Sequence, residues 1–411
     1  MRDMSKTIRR LCAAALMSPI LAVPSFAQDD RPGQVHFVDP TTLPAPYATP
    51  SVANSAERVR RGDAMPILAD GFEATLYADG VTGARTLRVV PGNGLLVARS
   101  RSGAVMLLED RDGDGRADSK RDILTGLSRP HGLVLQGGNL FVADQQTVYR
   151  TSWPLAGELT PLTSPGLFGS SGGHWTRNIA VSPDGRYLYA SIGSRSNIGE
   201  EDAPRATIQR YEIMPDGSVG PGETFAAGLR NPVGIAFLPG TGRLFTVVNE
   251  RDGMGDGLVP DYFTEVHQGA FYGWPYAYIG ANPQPDYADR RPDLVQAGRV
   301  PDVLFQSHSA PLDLVFLQGA NVPDAWRDDA LVSLHGSWNS GTPTGYKVVR
   351  VEFENGGPTG RYIDFMTGFR VDNGAETAEV WGRPVGLAVG EDGAIYVGDD
   401  LGGTIWKIFH R

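Results

Sequence analysis

The sequence predicts an all-β chain folded as a six-bladed β-propeller with four-stranded antiparallel blades. Three observations point there. The chain has 52 glycines and 30 prolines in 411 residues, too many for a helical protein and without the strict period of collagen. These residues punctuate short apolar runs of strand length. One unit then recurs: an apolar strand, a turn, and a second strand that ends in small or polar residues.

Six copies of the unit align. They begin at Ala84 (ARTLRVVPGNGLLVARS), Arg129 (RPHGLVLQGGNLFVAD), Thr176 (TRNIAVSPDGRYLYASIG), Arg230 (RNPVGIAFLPGTGRLFTVVNE), Ala310 (APLDLVFLQGANVPDAWRDDALVSLHGS) and Arg383 (RPVGLAVGEDGAIYVGDD). The shortest spacings, about 46 residues, suit one four-stranded blade, and the longer ones imply loop insertions, mostly on one face. A lone blade has two sheet faces to bury, and radial stacking buries both. GFEATLYADG near the start and TIWKIFHR at the end both read as strands. Together they would complete one blade and close the ring. A β-sandwich is the alternative, and six copies exceed what chance turns supply.

Ahead of this unit lie two other segments. Residues 1–27 combine Arg2, Lys6, Arg9 and Arg10 with a 13-residue apolar run, LCAAALMSPILAV, and the small-x-small site Ser25 to Ala27. That pattern reads as a secretory signal peptide, with a retained membrane anchor as the alternative. The expected location is periplasmic or secreted, with no membrane span in the mature chain. Residues 28–65 are rich in Pro, Ala, Asp and Arg without a period, and are expected to form an extended arm. Residues 66–411 form the propeller.

Charge and cysteine content narrow the function. The formal charge is −10, and removal of residues 1–27 would take it to about −13, which argues against nucleic acid or anionic membrane as partner. Cys12, in the signal segment, is the one cysteine. The mature chain therefore has no disulfide, thiolate metal site or cysteine nucleophile.

Each copy has a polar or charged residue at its start or directly beside it. In a propeller the innermost strands line a central channel, so their leading ends converge on one face. Those ends carry Arg129 with His131, His174 with Arg177 and Asn178, Arg230 with Asn231, His308, and Arg383; His335 ends a second strand. Arginine forks bind carboxylates at two points, and histidine accepts a proton near neutral pH. A ring of such residues suits a planar polyanion. Gly172 and Gly173 are expected to let the chain before His174 approach a ligand closely. For each residue singly, a strand-end cap or a histidine bonded to a carbonyl is the simpler reading; jointly they favour a site.

The segments GLRNPVGIAF (Gly228 to Phe237), VNERDG (Val248 to Gly253) and FYGWPY (Phe271 to Tyr276), in this order, resemble the soluble sugar dehydrogenases that use pyrroloquinoline quinone (PQQ), in particular the sorbosone dehydrogenase-like branch. The resemblance spans Gly71 to Arg411. It implies a six-bladed propeller, PQQ and Ca²⁺ as cofactors, and oxidation of an aldose or sugar aldehyde to a lactone or acid. His174, ten residues before Asp184, becomes the general base, with Arg230 stabilising charge on the quinone. Arg177, Arg230, Asn231, His308, His335 and Arg383 become cofactor contacts, His335 standing where the family has lysine. The calcium ligands map to the carbonyls of Arg251 and Asp252. Ser194 stands where glucose-oxidising members carry aspartate. A sugar would be the substrate and a separate quinone or cytochrome the electron acceptor, since no haem attachment motif is present.

Three further motifs stand beside this set. EDRDGDGRAD (Glu109 to Asp118) alternates carboxylates like a calcium loop but has Arg121 where a bidentate glutamate would close it, so an acidic hairpin is the competing reading. YGWP (Tyr272 to Pro275) reads as blade packing. HGSWNSG (His335 to Gly341) reads as part of the site rim, with burial of Trp338 as the alternative. Two other functions remain open: a calcium-dependent lactonase, and a non-catalytic binding propeller.

Overall fold

The strand Gly94–Arg99 reads Gly-Leu-Leu-Val-Ala-Arg, a continuous apolar run rather than an alternating one. Side chains on a strand alternate between faces, so such a run belongs in a sheet buried on both. In the computed structural model, which describes residues 30–411 apart from 93, 170, 171, 373 and 375, that is its position. Leu95 and Val97 pack toward one neighbouring blade, and Leu96 and Ala98 toward the other. Burial of one such leucine contributes about 2 kcal/mol.

Six four-stranded antiparallel sheets make the ring. Blade 1 holds Ala84–Val90, Gly94–Arg99, Ala104–Glu109 and Ser119–Leu124. Blade 2 holds Gly132–Gln136, Asn139–Ala143, Val148–Ser152 and Thr160–Pro161. Blade 3 holds Arg177–Val181, Tyr187–Ile192, Thr207–Glu212 and Glu223–Ala227. Blade 4 holds Asn231–Phe237, Leu244–Asn249, Pro260–Val266 and Val303–Ser307. Blade 5 holds Pro311–Phe316, Ala330–Leu334, Lys347–Glu354 and Gly357–Thr367. Blade 6 combines Pro384–Val389, Ile395–Asp399 and Thr404–His410 with Phe72–Ala78 from the other end of the chain, from His410 opposite Phe72 to Ile405 opposite Ala78. The expected closure is therefore present. Each of the six interfaces between neighbouring blades has its own cluster of buried apolar side chains.

The wide spacing after the fourth copy comes from residues 267–302, inserted between the last two strands of blade 4 and carrying Pro292–Ala297, the one α-helix among the described residues. The inner strands touch where glycine permits. A Cβ on Gly386 would lie 2.0 Å from the Arg85 carbonyl, and one on Gly234 2.8 Å from Asp313 Cα.

The arm is laid along blades 4 to 6. Val35–Phe37 pairs with Gly357–Thr367, as Ile67–Leu68 does just past the arm, and Glu57–Arg58 pairs with Glu379–Val380. Its start is fixed by charge: His36 Nε2 bonds Asp364 at 2.9 Å, and the buried Lys347 ammonium bridges Asp364 and Asp30. The expected signal peptide, residues 1–27, lies outside the described residues. Among the described residues no helix is long and apolar enough to cross a membrane.

Candidate active site

The leading ends of the inner strands border a cavity of about 390 Å³. Within it stand His174, Arg230, Asn231, Asp252, His308, His335 and Arg383, drawn from blades 3 to 6, together with Arg85 and Trp175. Two other cavities reach about 540 Å³ but lack this concentration of imidazole and guanidinium groups.

His174 is held by its own backbone and by Ser194. Its amide donates to the Ser194 carbonyl at 3.0 Å, and ring Nδ1 lies 2.9 Å from the same oxygen and 3.0 Å from Ser194 Oγ. A carbonyl only accepts, so Nδ1 carries the proton and Nε2 is left as the base. Burial, then the charge of Arg230, push the imidazole pKa down to about 3, so it is neutral at physiological pH. The loop before it is braced from behind. Arg177 donates to the carbonyls of His174 and Thr176, and Arg205 to those of Gly193 and Gly172.

This corrects two expectations. Arg177 is fully buried and outside the cavity lining; as the first residue of an inner strand its side chain turns toward the loop beneath, not the ligand face. Gly173 serves approach to protein: its φ is +74°, and a Cβ there would lie 2.2 Å from the Arg195 carbonyl. At Gly193 the close approach does concern the cavity wall, since a Cβ would meet Asn231 Oδ1 at 2.4 Å and His174 Cβ at 2.7 Å.

Arg230 donates through Nε to Asn197 O, through Nη1 to Glu250 O and Asn249 O, and through Nη2 to Asn197 Oδ1 and Asp252 Oδ2. All five N–H groups are thereby engaged. It acts on a bound molecule through charge, not as a free donor. Asp252 also accepts from Asn339 at 2.8 Å, and its carbonyl takes the Asn197 amide at 2.8 Å. Asn231 Oδ1, Thr176 Oγ1 and Glu250 Oε1, on three cavity-lining residues, are buried without a hydrogen-bond partner among the described residues. Such groups call for a polar occupant.

Across the cavity the pattern changes. Arg383 donates Nε to His335 O and Nη2 to Gly336 O, and Nη1 has no protein acceptor among the described residues. Asp400 joins Arg85 at 3.1 Å and His335 Nε2 at 2.8 Å. Burial and then Arg383 bring His335 down to about 4, while the cations around Asp400 overcome its burial and hold it far below the usual carboxylate range. His308 differs. Burial pulls its pKa down, but Asp252, Asp261 and the Gly255 carbonyl outweigh burial, and the result lies above the ordinary value. Asp261 itself rises to about 7 through burial.

Trp175, set between Arg129 (4.0 Å) and Arg85 (5.3 Å) and edge-on to His131, offers an aromatic wall. Arg85, Trp175 and Asp400 were missed by the sequence reading, while Asn339 falls within HGSWNSG, the expected rim. Arg85 was within reach, because it is the second residue of the first repeat copy. The Arg251 guanidinium bonds Glu250, Gln284 and the Ala277 carbonyl, away from the cavity, and the expectation at this position concerns its carbonyl alone. Asn178 lies farther down the channel, in a separate cavity with Asp313. Tyr272 and Trp274 are buried packing residues, and Trp274 Nε1 supports Asn197. In the acidic hairpin, Asp110, Asp112 and Asp118 bring carboxylate oxygens within 4.8 Å of one another, while Asp110 and Asp118 accept backbone N–H groups of the same loop.

Similarity to known proteins places this fold and cavity in context. An uncharacterised protein of Borreliella burgdorferi is 29% identical over 241 residues, 58% of this chain and 61% of that one. The pyrroloquinoline quinone-dependent pyranose dehydrogenase of Coprinopsis cinerea is 27% identical over 409 residues, 83% of this chain and 54% of that protein. The chain thus spans little more than half the length of these curated relatives. The holo structure of the C. cinerea PQQ domain matches with a TM-score of 0.71 at 21% identity, over 87% of this chain and 100% of the other, a likeness of fold. A family model described as TrAA12-like matches residues 66–270 and 289–411, both sides of the cavity, and the chain belongs to that TrAA12-like family.

Proposed function

We propose that the protein oxidises an aldose or sugar aldehyde to the lactone or acid, using PQQ bound in the 390 Å³ cavity. The observation that carries this reading is a neutral, buried imidazole facing guanidinium groups across one cavity. PQQ is a flat tricarboxylate, and the donor set suits it. Arg383 Nη1 and the Arg85 guanidinium offer charge-assisted bonds to carboxylates, and the three unpartnered polar atoms await an occupant. Similar proteins named as PQQ-dependent sugar dehydrogenases support the assignment.

The quinone, when bound, supplies a two-electron acceptor, and the protein supplies orientation and a base. His174 Nε2 takes the proton of the C1 hydroxyl while the C1 hydrogen leaves with its electron pair. The Nδ1–H bond to Ser194 fixes the tautomer needed for this. Arg230, without a free donor, lends positive charge to the region where negative charge develops. Calcium belongs to the same proposal, at the carbonyls of Arg251 and Asp252. Oxygen donors suit this hard cation. Asn197 already bonds the Asp252 carbonyl, so the ion would share or displace that contact. A sugar substrate, a separate electron carrier and a periplasmic or secreted location complete the reading.

Glu250, Asp252 and Asp261 border the cavity and favour, as the second reading, a metal-dependent lactonase. Each carboxylate already has protein partners: Arg251, Arg230 with Asn339, and the amides of Glu250 and Ala310. The test is purified apo-protein with Ca²⁺, an acceptor dye and a panel of aldoses, with and without PQQ. Dye reduction that requires PQQ is expected. Lactone opening without PQQ, and no dye reduction with it, would replace this proposal by the lactonase.

A further inference from the structure

Beside the main cavity lies a second, of about 260 Å³, and the two share Asp252, His308, Trp338 and Asn339 as wall. One side is built from the arm, residues 51–53. That segment precedes the TrAA12-like match, which begins at residue 66. It is nonetheless fixed to both loops that frame the site. Tyr47 donates its amide to Met254 O, and Thr49 Oγ1 accepts from Asp256 N. A few residues on, Asn54 donates its amide to Trp338 O and its side chain to Ser340 O. Gly255 is required where Thr49 crosses, since a Cβ there would lie 2.8 Å from the Thr49 carbonyl. The arm thus bridges the Asp252 loop and the Trp338 loop, with Val52 in the wall between them.

The chemistry of this cavity differs from that of the main one. No lysine or arginine lines it, and its polar groups are Ser51, Asn197, Asp252, His308 and Asn339. At its rim Trp338 is 48% exposed, an indole without burial to explain its place. An exposed indole beside amides, a hydroxyl and the Asp252 carboxylate, which lies 3.7 Å from the His308 imidazole, suits the apolar face and hydroxyl edge of an uncharged sugar ring, not an anion. Resting on the function proposed above, we propose that this arm-walled cavity holds the second, neutral pyranose ring of a reducing disaccharide whose first ring lies at His174. The arm then selects substrates by length.

The test fills the cavity from the arm with Val52→Trp, and with the smaller Val52→Phe should the first fail to fold. Binding is read by calorimetry with methyl β-cellobioside and methyl β-maltoside, which carry no oxidisable C1 hydroxyl, so this readout is independent of turnover. The wild-type chain is expected to bind at least one glycoside, and the filled variant at least about tenfold more weakly. In dye reduction, kcat/KM for cellobiose or maltose falls by a similar factor, while that for glucose and the affinity for PQQ stay within about twofold. No glycoside binding by the wild-type chain, or equal losses for glucose and disaccharide, would overturn the subsite. Glycoside binding that Val52→Trp abolishes, in a chain that reduces no dye with any aldose, would keep the sugar subsite and remove the dehydrogenase reading.

Discussion

The two walls of the main cavity use the same three residue types and arrive at opposite states. On one wall Asp400 joins Arg85 and His335; on the other Asp252 joins Arg230 and lies 3.7 Å from His308. The Asp400 side chain is 7% exposed and that of Asp252 is 26%. Arg383 stands next to His335 and disfavours its protonation, whereas His308 faces the carboxylates of Asp252 and Asp261. One wall therefore offers a neutral histidine and guanidinium donors still available to a ligand. The opposite wall carries His174, the base of the proposed reaction, and an arginine whose N–H groups are all taken. A polyanion is best anchored at the first wall and the chemistry performed at the second.

That division of labour can be broken residue by residue. The largest effect is expected for His174→Ala, with turnover lowered by about 10²-fold or more and PQQ affinity retained, measured by steady-state dye reduction beside a cofactor titration. Arg230→Ala is expected to act on stability. It strands Asp252 and several buried carbonyls, at a cost of about 3 kcal/mol in urea unfolding. Arg383→Ala should do the reverse: a weaker PQQ affinity, by about tenfold to a hundredfold, with unfolding changed little beside Arg230→Ala. An equal affinity loss from both arginine variants would erase the distinction between the walls. The smallest effect concerns pH. With His174 neutral above about 3, its protonation should cause no fall in kcat/KM between pH 7 and 5, and any change in that range should trace to Asp261 and His308 and persist in variants that leave those two intact. Ser194→Asp puts a carboxylate beside Nδ1, favours the imidazolium and raises that pKa. The acid limb of the pH profile then moves upward by about one unit or more.

The ring was legible because its signal is repeated. Each copy pairs apolar strands with a glycine or proline turn, and GLLVAR is apolar throughout since both its faces are buried. The convergence of His174, Arg230, Asn231, His308 and Arg383 followed from where inner strands begin, and that of His335 from where a second strand ends. What failed was direction within that rule. Arg177 is the first residue of its strand, whereas Arg230 stands one residue before Asn231–Phe237, and this one-residue change of phase turns Arg177 into the loop beneath, a difference invisible without the backbone. Asp400 lies just past the strand Ile395–Asp399, where no periodicity singles it out. The arm has no repeat, and its course is set by isolated polar anchors such as His36, Thr49 and Asn54.

The central claim is that strand ends distant in sequence surround one quinone that a sugar reduces through His174. The most direct measurement is an anaerobic absorbance titration of the apo-protein with PQQ and Ca²⁺, followed by an aldose and, in parallel, by the aldose with His174→Ala. The account predicts saturable binding of about one PQQ per chain by both proteins and spectral conversion to the reduced quinone in the wild type alone. Absence of saturable binding, or equally fast reduction in the variant, would contradict it.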